Sequence, residues 1–208
     1  MYFSQLGEDK ILNEKYFKNK KNGFFIELGA MDGVTYSNTL FFEQQLGWSG
    51  VLIEPQNYMY EELIRNRPNC YNFNYAISEV EGDVLFRGTH AIGGIDSSMT
   101  EHHKEIWNLT DSYYVKSKPI KDVLKDVPIK EVDLFSIDVE GGELEVLKTF
   151  DWNIPVKVVL IEIQDHDHDK DNEIRNFLKR KNFIFSESVP CSEIWINRRE
   201  EYGNISGS

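Results

Sequence analysis

Cysteine is nearly missing from this chain: Cys70 and Cys191 stand 121 positions apart, with no Cys-x-x-Cys pair. That excludes a disulfide framework, and both thiols are expected to be buried and reduced. No apolar run approaches a membrane span, and the first residues lack the apolar core of a signal peptide. A soluble domain in a reducing, cytoplasmic setting is expected. Bases are scarce as well, with 23 Lys and Arg against 35 Asp and Glu, a net charge of −12. Nucleic acid is bound through clustered Lys or Arg that displace phosphate counterions. The one basic run, Lys18-Asn19-Lys20-Lys21, reads as a solvated helix end. A polyanionic partner is therefore disfavoured, and a neutral or cationic ligand is favoured.

What remains is rich in aromatics and free of repeats, which argues against disorder. At 208 residues the chain fits one α/β domain over 1–208. Nothing marks Met1 as a true start, so a piece of a larger multidomain protein stays open. The pattern predicts a helix over 8–18, a strand over 24–28, a helix over 38–46, a strand over 51–54 and a helix over 57–66 closed by Pro68. A third strand follows over 71–76, then a turn and short strand from Val80 to Arg87. Residues 88–119, with Gly93, Gly94 and three of the five histidines, look irregular and lid-like. Beyond them come a strand over 132–138, a helix over 142–150, a strand over 156–163 and a helix over 171–181. Strands near 183–187 and 193–197 end the chain. Alternating β and α units imply a mostly parallel sheet with helices on both faces. The two terminal strands, joined by a loop alone, require an antiparallel pair.

In such a sheet, ligands bind beyond the carboxyl ends of the strands. The run Phe24-Phe25-Ile26-Glu27-Leu28-Gly29-Ala30-Met31-Asp32-Gly33 ends a buried strand in an acid and a Gly-x-x-x-Gly turn. A dinucleotide fingerprint, Gly-x-Gly-x-x-Gly, is absent, and acids inside the turn would repel phosphate. They suit a sulfonium and an ammonium instead. Glu54 closes the next strand and is placed to take two ribose hydroxyls. Together these acids point to S-adenosylmethionine; ordinary surface acids at strand ends are the alternative. Asp138-Val139-Glu140-Gly141-Gly142 closes the fourth strand, where Asp138 and Glu140 face one side while the backbone stays extended. A purely structural Asp138, or a Glu140 that only caps the next helix, is the plainer reading. The fifth strand delivers Glu162 and then Gln164-Asp165-His166-Asp167-His168-Asp169. That loop offers His and carboxylate ligands that suit Mn or Zn better than Ca, or it is a solvated polar loop. His90, His102 and His103 each read as surface residues of the irregular segment, with one of them a candidate to touch the acceptor. Tyr36, Trp107, Tyr113 and Tyr114 are candidate walls for a sugar ring.

Several motifs share one resemblance. Residues 25–33, Ser37-Asn38-Thr39 with Phe41-Phe42, Gly47-Trp48-x-Gly50-x-Leu52-Ile53-Glu54-Pro55 and Ile137-Asp138-Val139-Glu140-Gly141-x-Glu143 resemble the FkbM family of S-adenosylmethionine-dependent methyltransferases. The opening Ser4-Gln5-x-Gly7-Glu8-Asp9 is similar to that family's N-terminal motif. The resemblance implies a class I methyltransferase fold: a Rossmann-like three-layer sandwich on a mostly parallel seven-stranded sheet with an antiparallel last strand. It also implies O-methylation of a sugar, glycan or polyketide hydroxyl. By position, Glu27, Gly29, Asp32, Asn38 and Glu54 would hold the cofactor. Ala76 and Ile77 would lie by the adenine with Ser98 near it, and Gln5 would close over donor or acceptor.

On this reading Asp138 takes the acceptor's proton, with Glu162 or His166 assisting. In a second scheme Asp138, Glu162 and His166 bind a divalent metal, Mn or Mg, that acidifies the hydroxyl. A catalytically silent nucleoside-binding or scaffolding module, beside fused or associated glycosyltransferase domains, is the competing function. A nicotinamide oxidoreductase lacks its phosphate-binding glycines.

Overall fold

The computed structural model describes residues 1–163 and 167–199. Five strands build the parallel part of its main sheet: β1 (Phe24–Leu28), β2 (Ser49–Ile53), β3 (Tyr71–Phe73), β8 (Val132–Ile137) and β9 (Val156–Glu162). The terminal hairpin, β10 (Phe183–Val189) and β11 (Ser192–Asn197), completes seven strands in the order β10-β11-β9-β8-β1-β2-β3. The last strand, β11, runs antiparallel to both neighbours, as the short connection demands.

Strand alternation divides the core into two layers. Ile26, Ile53, Phe135 and Val159 face a cluster that includes Leu144 and Leu147 of α6 (Glu143–Thr149) and Ile174 and Leu178 of α7 (His168–Arg180). Phe25, Leu52, Leu134 and Val158 face the other side. There they meet Leu12, Phe41 and Phe42 of α2 (Leu40–Leu46), and Leu63 of α3 (Asn57–Asn66). Strands apolar on both faces are the mark of a sheet covered by helices. Asp133 in β8 is buried because Lys20 and Lys157 pair with it at 2.5 and 2.9 Å.

The structure departs from expectation in four places. The first helix is α-helical only over α1 (Glu8–Ile11) and continues as a π-helix over Leu12–Phe17. Lys18 N–H closes it by donating to Asn13 O at 2.6 Å, while the Asn13 side chain is held by Asn19 and Tyr2. The third strand is cut short: β3 stops at Phe73 and β4 (Ala76–Ile77) leaves for another sheet. Asn74 marks the break, its amide donating to the carbonyls of Glu54 and Pro55.

Residues 88–119 are not irregular. A second sheet, ordered β4-β7-β5-β6, is built from β4, β5 (Gly82–Arg87), β6 (Gly94–Ile95) and β7 (Ser112–Lys118). Ala76, Phe86, Ile95 and Val115 give it a small core of its own. Helix α4 (Glu101–Ile106) inside it is capped by the Thr100 hydroxyl, which accepts from His103 N–H at 3.1 Å. Between β7 and β8 a short helix, α5 (Ile120–Val123), returns the chain to the main sheet. Helix α7 starts at His168, three residues earlier than expected, because Asp167 caps it. No helix among the described residues is long and apolar enough to cross a membrane.

Beneath the first turn lies Arg67, fully buried and ion-paired with Glu43. It donates to Gly33 O at 2.9 Å, Ser37 Oγ at 3.3 Å and Thr39 Oγ1 at 3.2 Å. Removing one member of a buried ionic network leaves the others uncompensated. Arg67→Met is therefore expected to lower the unfolding free energy by about 3–5 kcal/mol. Urea denaturation checks it; a loss within about 0.5 kcal/mol, typical of a surface site, would contradict this role.

Candidate active site

Chain order reverses in the main sheet between β1 and β8, where an open α/β sheet leaves a crevice. Gly29 (φ +72) ends β1 there, and a Cβ on it would collide with the carbonyl oxygen of Asp138 at the end of β8. Only glycine permits that backbone approach. The crevice opens into a cavity of about 460 Å³. Its walls include Gln5, Glu8, Glu27, Gly29, Asn38, Glu54, Ala76, Ile77, Asp138 and Glu162. The sequence-derived set thus meets in one place, with three exceptions.

Asp32 does not line the cavity. Its carboxylate accepts N–H bonds from Val34 and Thr35 at 2.9 and 2.7 Å and so folds the turn. Burial pushes its pKa up, but those N–H groups outweigh it and hold the carboxyl below its ordinary value. Ser98 also turns away, donating its hydroxyl to Glu145 at 3.1 Å while its carbonyl accepts from Lys170. His166 lies outside the described residues.

At the β2 end, Glu54 is buried and accepts N–H bonds from Met31 at 2.9 Å and Gln56 at 2.8 Å. Desolvation outweighs these bonds and raises its pKa to about 7. Gln56 exchanges two hydrogen bonds with the His90 backbone and thereby ties the second sheet to this wall. Glu27 is fully enclosed, and burial raises its pKa against the opposing pull of Arg67 and its hydrogen bonds. Those bonds come from Thr39 Oγ1 and Asn38 N–H, both at 2.6 Å, and from Ser37 Oγ at 3.0 Å.

Asp138 lines the cavity and is exposed to it, while the protein around it still desolvates its carboxyl. Enclosure raises its pKa, and the like charges of Glu143, Glu8 and Glu27 raise it further. One oxygen each from Asp138, Glu140 and Glu162 lie within 4.8 Å of one another. Glu140 sits in the left-handed region (φ 55), so it does not reach the cavity by strand alternation. Nor does it cap α6, whose N-cap is Gly142 with no side-chain hydrogen bond; Glu143 holds the loop before the helix instead, accepting from Val139 and Gly141 N–H at 3.2 and 3.0 Å. Tyr36 and Trp107 line the cavity, whereas Tyr113 hydrogen-bonds Gln56 outside it and Tyr114 is exposed.

Three residues depart from their sequence reading. His103 is buried rather than superficial, with Nε2 3.5 Å from a Glu140 oxygen. Cys191 is exposed in the β10–β11 turn at the cavity rim, and Cys70 is half-buried on Glu43, its thiol pushed by burial to about 12. Glu8, Gln56 and His103 were missed as cavity residues. Glu8 had a signal in its opening motif; His103 was hidden by the irregular look of its segment.

The family model of the methyltransferase FkbM domain matches residues 27–185. Methyltransferase sdnD of Sordaria araneosa is 28% identical over 146 residues, 69% of this chain and 47% of that protein. The chain thus spans about half the length of that curated relative. A crystal structure of methyltransferase FkbM from Methylobacillus flagellatus superposes with a TM-score of 0.51 at 15% identity, covering 86% of this chain and 44% of that one. Aeropyrum pernix fibrillarin, solved with natively bound S-adenosyl-L-methionine, gives 0.52 at 12% identity over 93% and 73%. At these identities the two structures establish the fold, that of class I methyltransferases.

The raised pKa of Glu54 has a measurable sign. A carboxyl that binds its proton more tightly when folded adds stability below its ordinary value of 4.5, and that stability is lost as pH rises through about 7. Glu54→Gln lacks this titration. Its melting temperature relative to wild type is expected to climb between about pH 5 and pH 8. A difference that stays flat across that window would contradict the assignment.

Proposed function

This chain belongs to the methyltransferase FkbM family, and on that premise we propose that it moves a methyl group from S-adenosylmethionine to a hydroxyl of a sugar or glycan. One observation carries the reading: acids, with no Lys or Arg among the described lining residues, wall the cavity at the switch point. That chemistry suits a donor whose positive charge must be held. The Gly29 approach brings the ends of β1 and β8 together at the site.

Glu54 is the residue to hold the ribose hydroxyls, and Ala76 and Ile77, both buried, give the adenine an apolar wall. Asn38 and Gly29 also line the cavity. When bound, the donor supplies an electrophilic methyl carbon on a sulfonium. The protein's task is to orient the acceptor oxygen and to receive its proton. Asp138 is the base: its raised proton affinity comes from enclosure and neighbouring acids, and a base poised near the working pH is effective. Glu162, at the neighbouring strand end, orients the acceptor, and Trp107 and Tyr36 offer flat surfaces to a sugar ring. Asp138, Glu140 and Glu162 also present the hard oxygen donors that Mg or Mn takes. A metal held there would shift the burden from base to Lewis acid.

Two measurements test this. Calorimetry is expected to show micromolar binding of S-adenosylmethionine, abolished in Glu54→Ala; no heat with wild type would end the reading. Mass spectrometry of candidate glycans is expected to show a +14 Da product. Asp138→Asn is expected to slow turnover by about 10²–10⁴-fold with donor affinity retained. Turnover that survives EDTA supports the base scheme, and loss restored by Mn or Mg supports the metal.

A further inference from the structure

A methyl donor of this kind carries a second positive charge, the ammonium of its amino-acid arm. The acid that β1 offers for it, Glu27, is already committed. Three donors occupy its carboxylate, and Ser37 Oγ spans both oxygens at 3.0 and 3.3 Å. A carboxylate has about four acceptor positions, so little capacity is left. Glu54 is held by two backbone N–H groups at the far side of β1, and Asp138 is assigned to the acceptor.

Glu8 is different. It is 6% exposed and lines the same cavity, yet it belongs to the N-terminal segment, ahead of the family-matched residues 27–185. Among the described residues its carboxylate accepts a single hydrogen bond, from Leu6 N–H to Oε2 at 3.0 Å. It lines the cavity with Asp138, whose proton affinity its charge raises. The segment around it is fastened on both sides. Gly7 turns through φ 90 immediately before α1. Asp9, fully buried, accepts from Phe3 N–H at 2.6 Å and from the Ser4 hydroxyl at 2.7 Å, and Ser4 bridges Tyr36. A carboxylate removed from water, near other acids and only partly hydrogen-bonded, is costly without a cation. Charge-assisted bonds to one are about twice as strong as neutral ones.

We infer that Glu8 is a donor-binding residue whose carboxylate takes the ammonium of the amino-acid arm of S-adenosylmethionine. The inference rests on the reading that this cavity holds that donor. The N-terminal strap is then part of the site, and shortening the chain to the family-matched segment would remove a binding group.

Three ligands separate the possibilities by calorimetry on the full chain. S-adenosylmethionine and S-adenosylhomocysteine carry the ammonium, while 5′-methylthioadenosine keeps adenine, ribose and sulfur without it. Glu8→Gln retains an oxygen for Leu6 N–H but loses the charge. It is expected to weaken the first two ligands about tenfold or more and to leave 5′-methylthioadenosine unchanged. Equal weakening of all three would make Glu8 a structural support and overturn the inference, as would no weakening of any. Wild-type protein that binds none of the three would instead overturn the donor reading beneath it.

Discussion

Burying a carboxylate is uphill unless something compensates its charge, and this structure gathers several around one cavity. Glu27, Glu54 and Glu143 are buried, and Asp138 lines the cavity with its surface exposed. Each has a raised proton affinity, with desolvation as the largest cause. Two kinds of compensation are visible. Glu27 and Glu143 are satisfied within the protein by hydroxyl and N–H donors, and so they hold loops. Glu8, Glu54 and Asp138 keep a face toward the cavity and are compensated only in part. Division of one acidic cluster into structural and cation-ready members is the physical basis of the site.

The scaffold makes the cluster possible by bringing backbones close. Gly29 lets the β1 end approach Asp138, and Gly94 and Gly141 let the second sheet approach the loop after β8, where a Cβ would press on Glu140 O and Ser98 O. Lys170 of α7 ties that loop to the second sheet by donating to the carbonyls of Ser98 and Gly141. The second sheet is therefore a fixed wall, joined at one side through Gln56 and at the other through Lys170. Packing at this density transmits small displacements rather than absorbing them, so substitutions in the wall are expected to act on the site.

Legibility in the sequence followed the physics of each signal. The strands buried on both faces, β1, β2, β8 and β9, announce themselves as short apolar runs, and the acids at their ends mark the rim. Glu54, Asp138 and Glu162 were accordingly legible as residues of the cavity wall. Asp32 misled because an acid within a turn looks the same whether it faces a ligand or folds its own loop; two N–H groups two and three residues onward decide it. The second sheet was illegible because its strands are short and its core is only a few residues, below what periodicity resolves. Its site residue His103 was hidden with it. Glu8 could be seen as part of a motif, but only its burial beside Asp138 gives it chemistry.

The central claim is that partly compensated carboxylates await a cation, and proton release reports it directly. Calorimetric titration near pH 6.5, repeated in buffers of different ionisation enthalpy, counts the protons exchanged on binding. S-adenosylmethionine is expected to expel more protons than S-adenosylhomocysteine, because only the former brings a sulfonium beside these acids. Binding heats independent of the buffer, or identical proton counts for the two ligands, would contradict the account.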